Sequence, residues 1–199
     1  MTPFLFIRHA ETDMAGQFCG HSDPSLNERG RGQIATVIRK LAAFPISRIY
    51  TSDLQRALET ARPIAEHYHL ELEVRPGLRE INFGLWEGLS WSEIEIRNPV
   101  EAQDWLRLYP NVTAPNGESY EQFQARVCCE LKFLIQQAAA SRMAAVTHAG
   151  FIREVLTRFC GVTEREAWSR TEAYGAVISI DRNVICDKLA VSIDVSVNH

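Results

Sequence analysis

PFLFIRH (3–9) decides how the chain is read: five apolar residues in a row, then an arginine and a histidine. A continuous apolar run this short suits a strand buried on both faces, as in a parallel sheet covered by helices. The two polar residues then fall at the strand's carboxyl end. The pattern returns twice. RIYTS (48–52) is followed by Asp53, Leu54, Gln55 and Arg56, and MAAVT (143–147) is followed by His148.

Amphipathic helical segments separate these runs. From Leu26 to Ala43, residues Ile34, Val37, Ile38 and Leu41 form one stripe. Leu54, Ala57, Leu58, Ala61, Ile64, Ala65 and Tyr68 form another, with Ser52 or Asp53 as the expected cap. A short strand is expected over Leu70–Val74. Helical pieces are expected near 90–97 and 99–108, and a long helix is expected after NGES (116–119), with Tyr120, Phe123, Val127, Leu131, Leu134 and Ile135 inward. A further helix is expected to start near Gly150. The tail, Ala176–Ile180 and Val184–Val195, alternates like edge strands.

Strands alternating with helices predict an α/β fold, a three-layer α/β/α sandwich with a largely parallel central sheet. The 199 residues fit a single domain, 1–199, with a small helical lid insertion at about 81–118. In such sheets ligands gather beyond the carboxyl ends of the strands. Arg8, His9, Arg56 and His148 should therefore meet on one rim.

Composition narrows the partners. A net charge of −4 gives no general attraction to nucleic acid or to an anionic membrane, so any anion must be held by cations gathered locally. No apolar run is long enough for a membrane span or signal core. The five cysteines are odd in number and lack a CxxC pair, which fits free thiols in a reducing cytoplasm. These features predict a soluble cytoplasmic protein. Oligomeric state is left open, a homodimer included. No GxxxxGK[ST] loop is present for a nucleotide-dependent kinase. His67 and His69 lack a third partner, so neither metal nor cofactor is expected.

Each site candidate has a plainer reading. A single histidine after a strand is more often a hydrogen-bonded rim residue, and Arg56 alone would be a solvated helix residue. Convergence at strand ends changes the balance. Arginine offers a planar fork of donors matched to phosphate, and a neutral histidine can attack phosphorus through one ring nitrogen.

RHAET (8–12) resembles the RHG signature of the histidine phosphatase superfamily. The likeness extends in order through FCGHSDPSLNERG (18–30), YTSDLQRALETA (50–61), LREINFGLWEG (78–88), NGESYEQFQARV (116–127) and VTHAG (146–150). It implies a phosphatase in which His9 accepts the phosphoryl group, Arg8, Arg56 and His148 hold its oxygens, and Glu80 is the general acid. Ala149 stands where some branches carry an acidic Asp, which favours Glu80. Glu80 could instead pair with Arg79, and Glu87 and Glu118 are competing carboxylates. Gln17, Cys19 and Gly20 occupy a loop whose counterparts contain the substrate. Cys19 lacks the Cys-x5-Arg pattern of a nucleophile. Ala10 and Ala149 depart from the family's glycines. A charge-stabilising role for His148 implies that it carries a proton.

The expected lid is acidic, with only Arg97 and Arg107 basic against Glu87, Glu93, Glu95, Glu101, Asp104 and Glu118. That suits a hydrolase acting on a small-molecule phosphate ester better than a mutase, which must rebind a second phosphate. Within the superfamily the pattern is most similar to the α-ribazole-5′-phosphate phosphatases of cobalamin (nucleotide loop) synthesis. Another small sugar phosphate, a phosphoglycerate mutase and a non-enzymatic phospho-ligand binder are the alternatives.

Overall fold

The computed structural model describes residues 3–137 and 142–195. In chain order its elements are β1 (Phe4–Arg8), α1 (Glu28–Leu41), β2 (Arg48–Thr51), α2 (Gln55–Tyr68), β3 (Leu72–Val74), α3 (Trp91–Arg97), α4 (Pro99–Leu108), α5 (Tyr120–Gln137), β4 (Met143–Thr147), α6 (Ala149–Glu154), α7 (Glu164–Thr171), β5 (Val177–Ile180) and α8 (Arg182–Val195). The five strands form one sheet in the order β3–β2–β4–β1–β5. All neighbours are parallel except β5, which runs antiparallel beside β1.

Strand alternation divides the core in two. Phe4 and Phe6 of β1, with Tyr50 and Ala145, pack under α5, α6, α7 and α8. Leu5 and Ile7, with Ile49, Ala144 and Val146, pack under α1 and α2. Burying each such aliphatic or aromatic side chain stabilises the fold by about 1.5–3 kcal/mol. This is the α/β/α sandwich expected from the sequence.

Two local expectations change. Residues 182–195 form a helix rather than an edge strand. Ile185 and Leu189 are both buried while Val184 is exposed, the four-residue spacing of a helix face. The Asp181 carboxylate accepts from the backbone N–H of Asn183 at the start of that helix. At α2, neither Ser52 nor Asp53 is the cap. Leu54 holds that position without a side-chain bond, and Asp23 from a distant loop accepts from the Gln55 N–H. Ser52 and Asp53 are engaged elsewhere, as described below.

Residues 81–118 carry α3 and α4 outside the sandwich. Ser90 and Glu93 close α3 with reciprocal side-chain and backbone hydrogen bonds. Trp86, Ile94, Ala102 and Ala114 make a small separate core with Phe18, Phe83, Leu89, Trp91 and Trp105 around it. Most aromatics of residues 81–118 are thus packing residues. Arg97 and Arg107 pair with Glu93 and Asp104 of their own helices, largely in solvent.

Candidate active site

Register brings the polar strand ends together. Arg8 lies opposite Thr147 across the β1–β4 pair, and Thr51 lies opposite Val146 across β2–β4. Beyond the strands the ladder continues: His9 N–H donates to the Thr147 carbonyl (2.9 Å) and Ser52 N–H to that of Val146 (3.1 Å). His9, Ser52 and His148 therefore leave three adjacent strands at one level.

The His9 ring is nearly buried and oriented from both sides. Its Nδ1 bonds the Ala10 carbonyl at 2.7 Å, and Arg56 Nε donates to its Nε2 at 3.3 Å. A carbonyl only accepts, so Nδ1 carries the proton and Nε2 keeps a lone pair. Burial, with Arg56 and Arg8 close by, holds the His9 pKa well below the usual histidine value. The ring is neutral near pH 7. Thr60 Oγ1 accepts from the Ala10 N–H and donates to the Arg56 carbonyl, tying the two segments together. Neither Ala10 nor Ala149 has a left-handed backbone, so a Cβ at either position brings no φ strain.

His148 lies 5.1 Å from His9 between ring centroids and is fully buried. Its Nε2 meets Ser52 Oγ at 2.7 Å, and its Nδ1 is buried without a hydrogen-bond partner among the described residues. Burial first, then Arg56 and the second ring, lower its pKa well below the ordinary value. Without an anion beside it the ring is neutral.

Arg56 is fully buried, with its fork turned into the 19–22 loop. It donates to the carbonyls of Ser22 (2.6 Å), Gly20 (2.7 Å) and Cys19 (3.2 Å). Cys19 and Gly20 thus meet Arg56 through their backbones, and the Gly20 N–H donates to Glu87. Gly20 has no space for a Cβ beside the Ile81 carbonyl. The Cys19 thiol lies near Met14 Sδ, and burial pushes its pKa up, a poor setting for a nucleophile. Gln17 and Cys19 line the cleft; Gly20 sits behind it. Arg8 lies over the Tyr174 ring at 3.9 Å and donates to the Thr171 and Glu172 carbonyls. Its Nε is buried without a hydrogen-bond partner among the described residues.

Glu80 reaches the same cleft from the segment after β3. Its oxygens accept from the N–H groups of Ile81 (3.0 Å) and Gly150 (2.8 Å). A Cβ at residue 150 would run into this carboxylate, so glycine there permits the approach. Arg126 donates to the carbonyls of Gly77, Arg79 and Glu80 and forks onto Glu118, fixing the strand-to-lid passage. Arg79 pairs with Asp53 rather than Glu80. Glu87 gathers the N–H groups of Gly20, His21, Ser22 and Phe83. Burial alone would raise its pKa, but those donors hold it below the usual carboxylate range. Both competing carboxylates therefore have structural partners.

Two cavities join at Glu80. A cleft of about 320 Å³ is lined by Arg8, His9, Gln17, Cys19, Ala149 and Tyr174 among others. An annex of about 260 Å³ is lined by Trp105, Tyr109, Tyr120 and Glu154 among others. Phe18, Glu80, Phe83, Arg153 and Trp168 border both. Ser52, Tyr174, Arg153 and Trp168 were not found from sequence. Ser52 was visible beside its strand end but was read as a cap; the others carry no strand-end signal.

The sequence model of the histidine phosphatase superfamily (branch 1) matches residues 4–184. The chain belongs to this superfamily. Its similarity to the adenosylcobalamin/alpha-ribazole phosphatase of Salmonella typhimurium is 28% identity over 186 residues, covering 92% of this chain and 91% of that one. Phosphoserine phosphatase 1 of Hydrogenobacter thermophilus is 29% identical over 171 residues, covering 85% and 81%. Among solved structures, the alpha-ribazole phosphatase of Shigella flexneri superposes with a TM-score of 0.80 at 25% identity, covering 90% of each chain. As a member of the histidine phosphatase superfamily the protein is a phosphatase. Among the described residues no helix is long and apolar enough to cross a membrane, and no group of three His, Cys, Asp or Glu side chains could hold a metal.

Proposed function

We propose that the protein hydrolyses a phosphomonoester through a phosphorylated His9, without metal, and that its substrate is α-ribazole 5′-phosphate. The observation that carries the chemistry is the tautomer of His9: a buried, neutral ring with Nδ1 held as donor and an Nε2 lone pair that meets only the Arg56 Nε donor, which a bound phosphate would take over. Such a nitrogen is a ready nucleophile.

In the first step His9 Nε2 forms a bond to phosphorus as the ester P–O bond breaks, and Glu80 gives its proton to the leaving oxygen. In the second, water attacks the phosphohistidine, Glu80 takes the water's proton, and the P–N bond breaks to release phosphate. Positioning and charge stabilisation dominate such transfers. Arg8 and Arg56 supply the charge, and His148 adds to it once the phosphate dianion raises its proton affinity. Ser52 orients His148.

The aromatic annex beside the acid supports a leaving group bearing a flat base, as do the relatives named for α-ribazole phosphate. Residues 81–118 act as the lid over it. The lid's two basic residues, Arg97 and Arg107, pair within their own helices and bring no cation to the annex, which argues against a mutase.

Phosphate release would be measured with EDTA present from α-ribazole phosphate, phosphoserine, 3-phosphoglycerate and fructose bisphosphate. The α-ribazole ester should have the highest kcat/KM. Interconversion of 3-phosphoglycerate without phosphate release would refute hydrolysis, and a better phosphoserine rate would refute the substrate.

A further inference from the structure

Arg153 leaves α6 at the join of the two cavities, and its guanidinium lies 3.3 Å over the Trp168 ring of α7. Its Nε donates to Thr171 Oγ1 at 2.9 Å. Among the described residues its terminal nitrogens make no hydrogen bond, and the guanidinium makes no ion pair. Trp168 itself is 54% exposed, a large aromatic ring left at the mouth of a cavity rather than in the core. A guanidinium stacked in this way is pre-oriented, with its terminal N–H groups free to donate along their common plane.

We infer that the Arg153–Trp168 pair selects the leaving group, donating to neutral oxygen acceptors on the carbon skeleton between the ester and the part that fills the annex. A carboxylate would also suit a guanidinium, but Glu154 and Glu164 line the same annex and repel an anion there. Hydroxyl and ring oxygens of a sugar bring no such charge. The leaving group is therefore a neutral sugar-like unit carrying a flat ring. The inference rests on the phosphohistidine reading above and adds a residue that acts on the substrate rather than on phosphorus.

The test compares kcat/KM for α-ribazole 5′-phosphate, ribose 5-phosphate, phosphoserine and phenyl phosphate in the wild type and in Arg153→Met, Arg153→Lys and Trp168→Leu. Phenyl phosphate has no acceptor beyond the ester and reads the phosphorus chemistry itself. Arg153→Met should lower the ratio of either sugar ester to phenyl phosphate by about tenfold or more, the loss of a charged donor. Arg153→Lys should recover part of that ratio, and Trp168→Leu should lower it by roughly threefold as the guanidinium loses its stack. Equal losses on all four esters would overturn the inference, because a purely structural Arg153 affects every substrate alike. A loss confined to phosphoserine would overturn it too, by making the acceptor a carboxylate. Absence of phosphate release from phenyl phosphate by the wild type would instead count against the phosphatase mechanism.

Discussion

The cleft and the annex meet at Glu80 but are built on different principles. The cleft lies at strand ends locked by backbone register, with His9 in its wall and Ser52, Arg56 and His148 buried behind it. The annex is made of side chains from the 81–118 region, α5, α6 and α7, with Tyr109 and Trp168 about half exposed. Where main-chain hydrogen bonds set position, chemistry is fixed; where side-chain packing sets it, specificity can vary without disturbing the reaction. Damage to the cleft should reduce turnover of every ester, scaled only by how much its leaving oxygen needs a proton, while damage to the annex should only re-rank them.

The largest effect belongs to the nucleophile. His9→Ala should lower kcat by on the order of 10³-fold or more for all substrates. Acid-labile, alkali-stable phosphoprotein should disappear in a quench with labelled ester. Survival of that label would break the comparison at its centre. Glu80→Gln should cost about 10²–10⁴ in kcat, and less for esters with good leaving groups, which need less proton donation. An equal loss for phenyl and nitrophenyl phosphates would remove Glu80 as the acid.

Ser52→Ala should lower kcat roughly tenfold with KM little changed, the worth of one buried hydrogen bond on His148. A change confined to KM would assign Ser52 to substrate binding instead. Titration sharpens the same contrast. His9 and His148 are held well below the usual histidine pKa, so the unfolded chain binds protons that the folded one refuses. Stability should fall as pH drops below about 6.5, by up to roughly 1.4 kcal/mol per unit for each ring. Thermal melts at pH 7.5 and 5.5 should show a smaller difference for His148→Gln. An identical difference in the variant would mean that burial does not keep that ring neutral. Smallest is Trp105→Ala in the annex: KM for the base-bearing ester should rise several-fold, about 1 kcal/mol of aromatic contact, against little change for ribose 5-phosphate.

This division also explains what the sequence disclosed. Apolar runs ending in Arg-His, Ser-Asp and Thr-His reveal both the sheet and its functional rim, because each strand end is local in sequence. Glu80 stands six residues beyond the end of β3 rather than at a strand end and became visible only through family likeness; its placement depends on Thr147 Oγ1 donating to the Leu78 carbonyl and on Gly150. Arg153 stands next to Glu154 at the end of a short, otherwise apolar helix, without a periodic signal of its own. The 182–195 segment misleads because Val184, Ile185 and Val191 satisfy two periods at once, and only the packing of Ile185 and Leu189 against the sandwich decides for a helix. Ser52 was read as a cap because its partner lies 96 residues away.

Glu87 joins segments that lie more than sixty residues apart in the chain. The loop whose carbonyls grip Arg56 (Cys19, Gly20 and Ser22) hangs by its own N–H groups from this one side chain, as does Phe83. Residues 83–87 cannot swing outward without pulling on that loop or breaking its three bonds to the Glu87 carboxylate. Any outward movement of residues 83–87 is thereby coupled to the loop that holds Arg56.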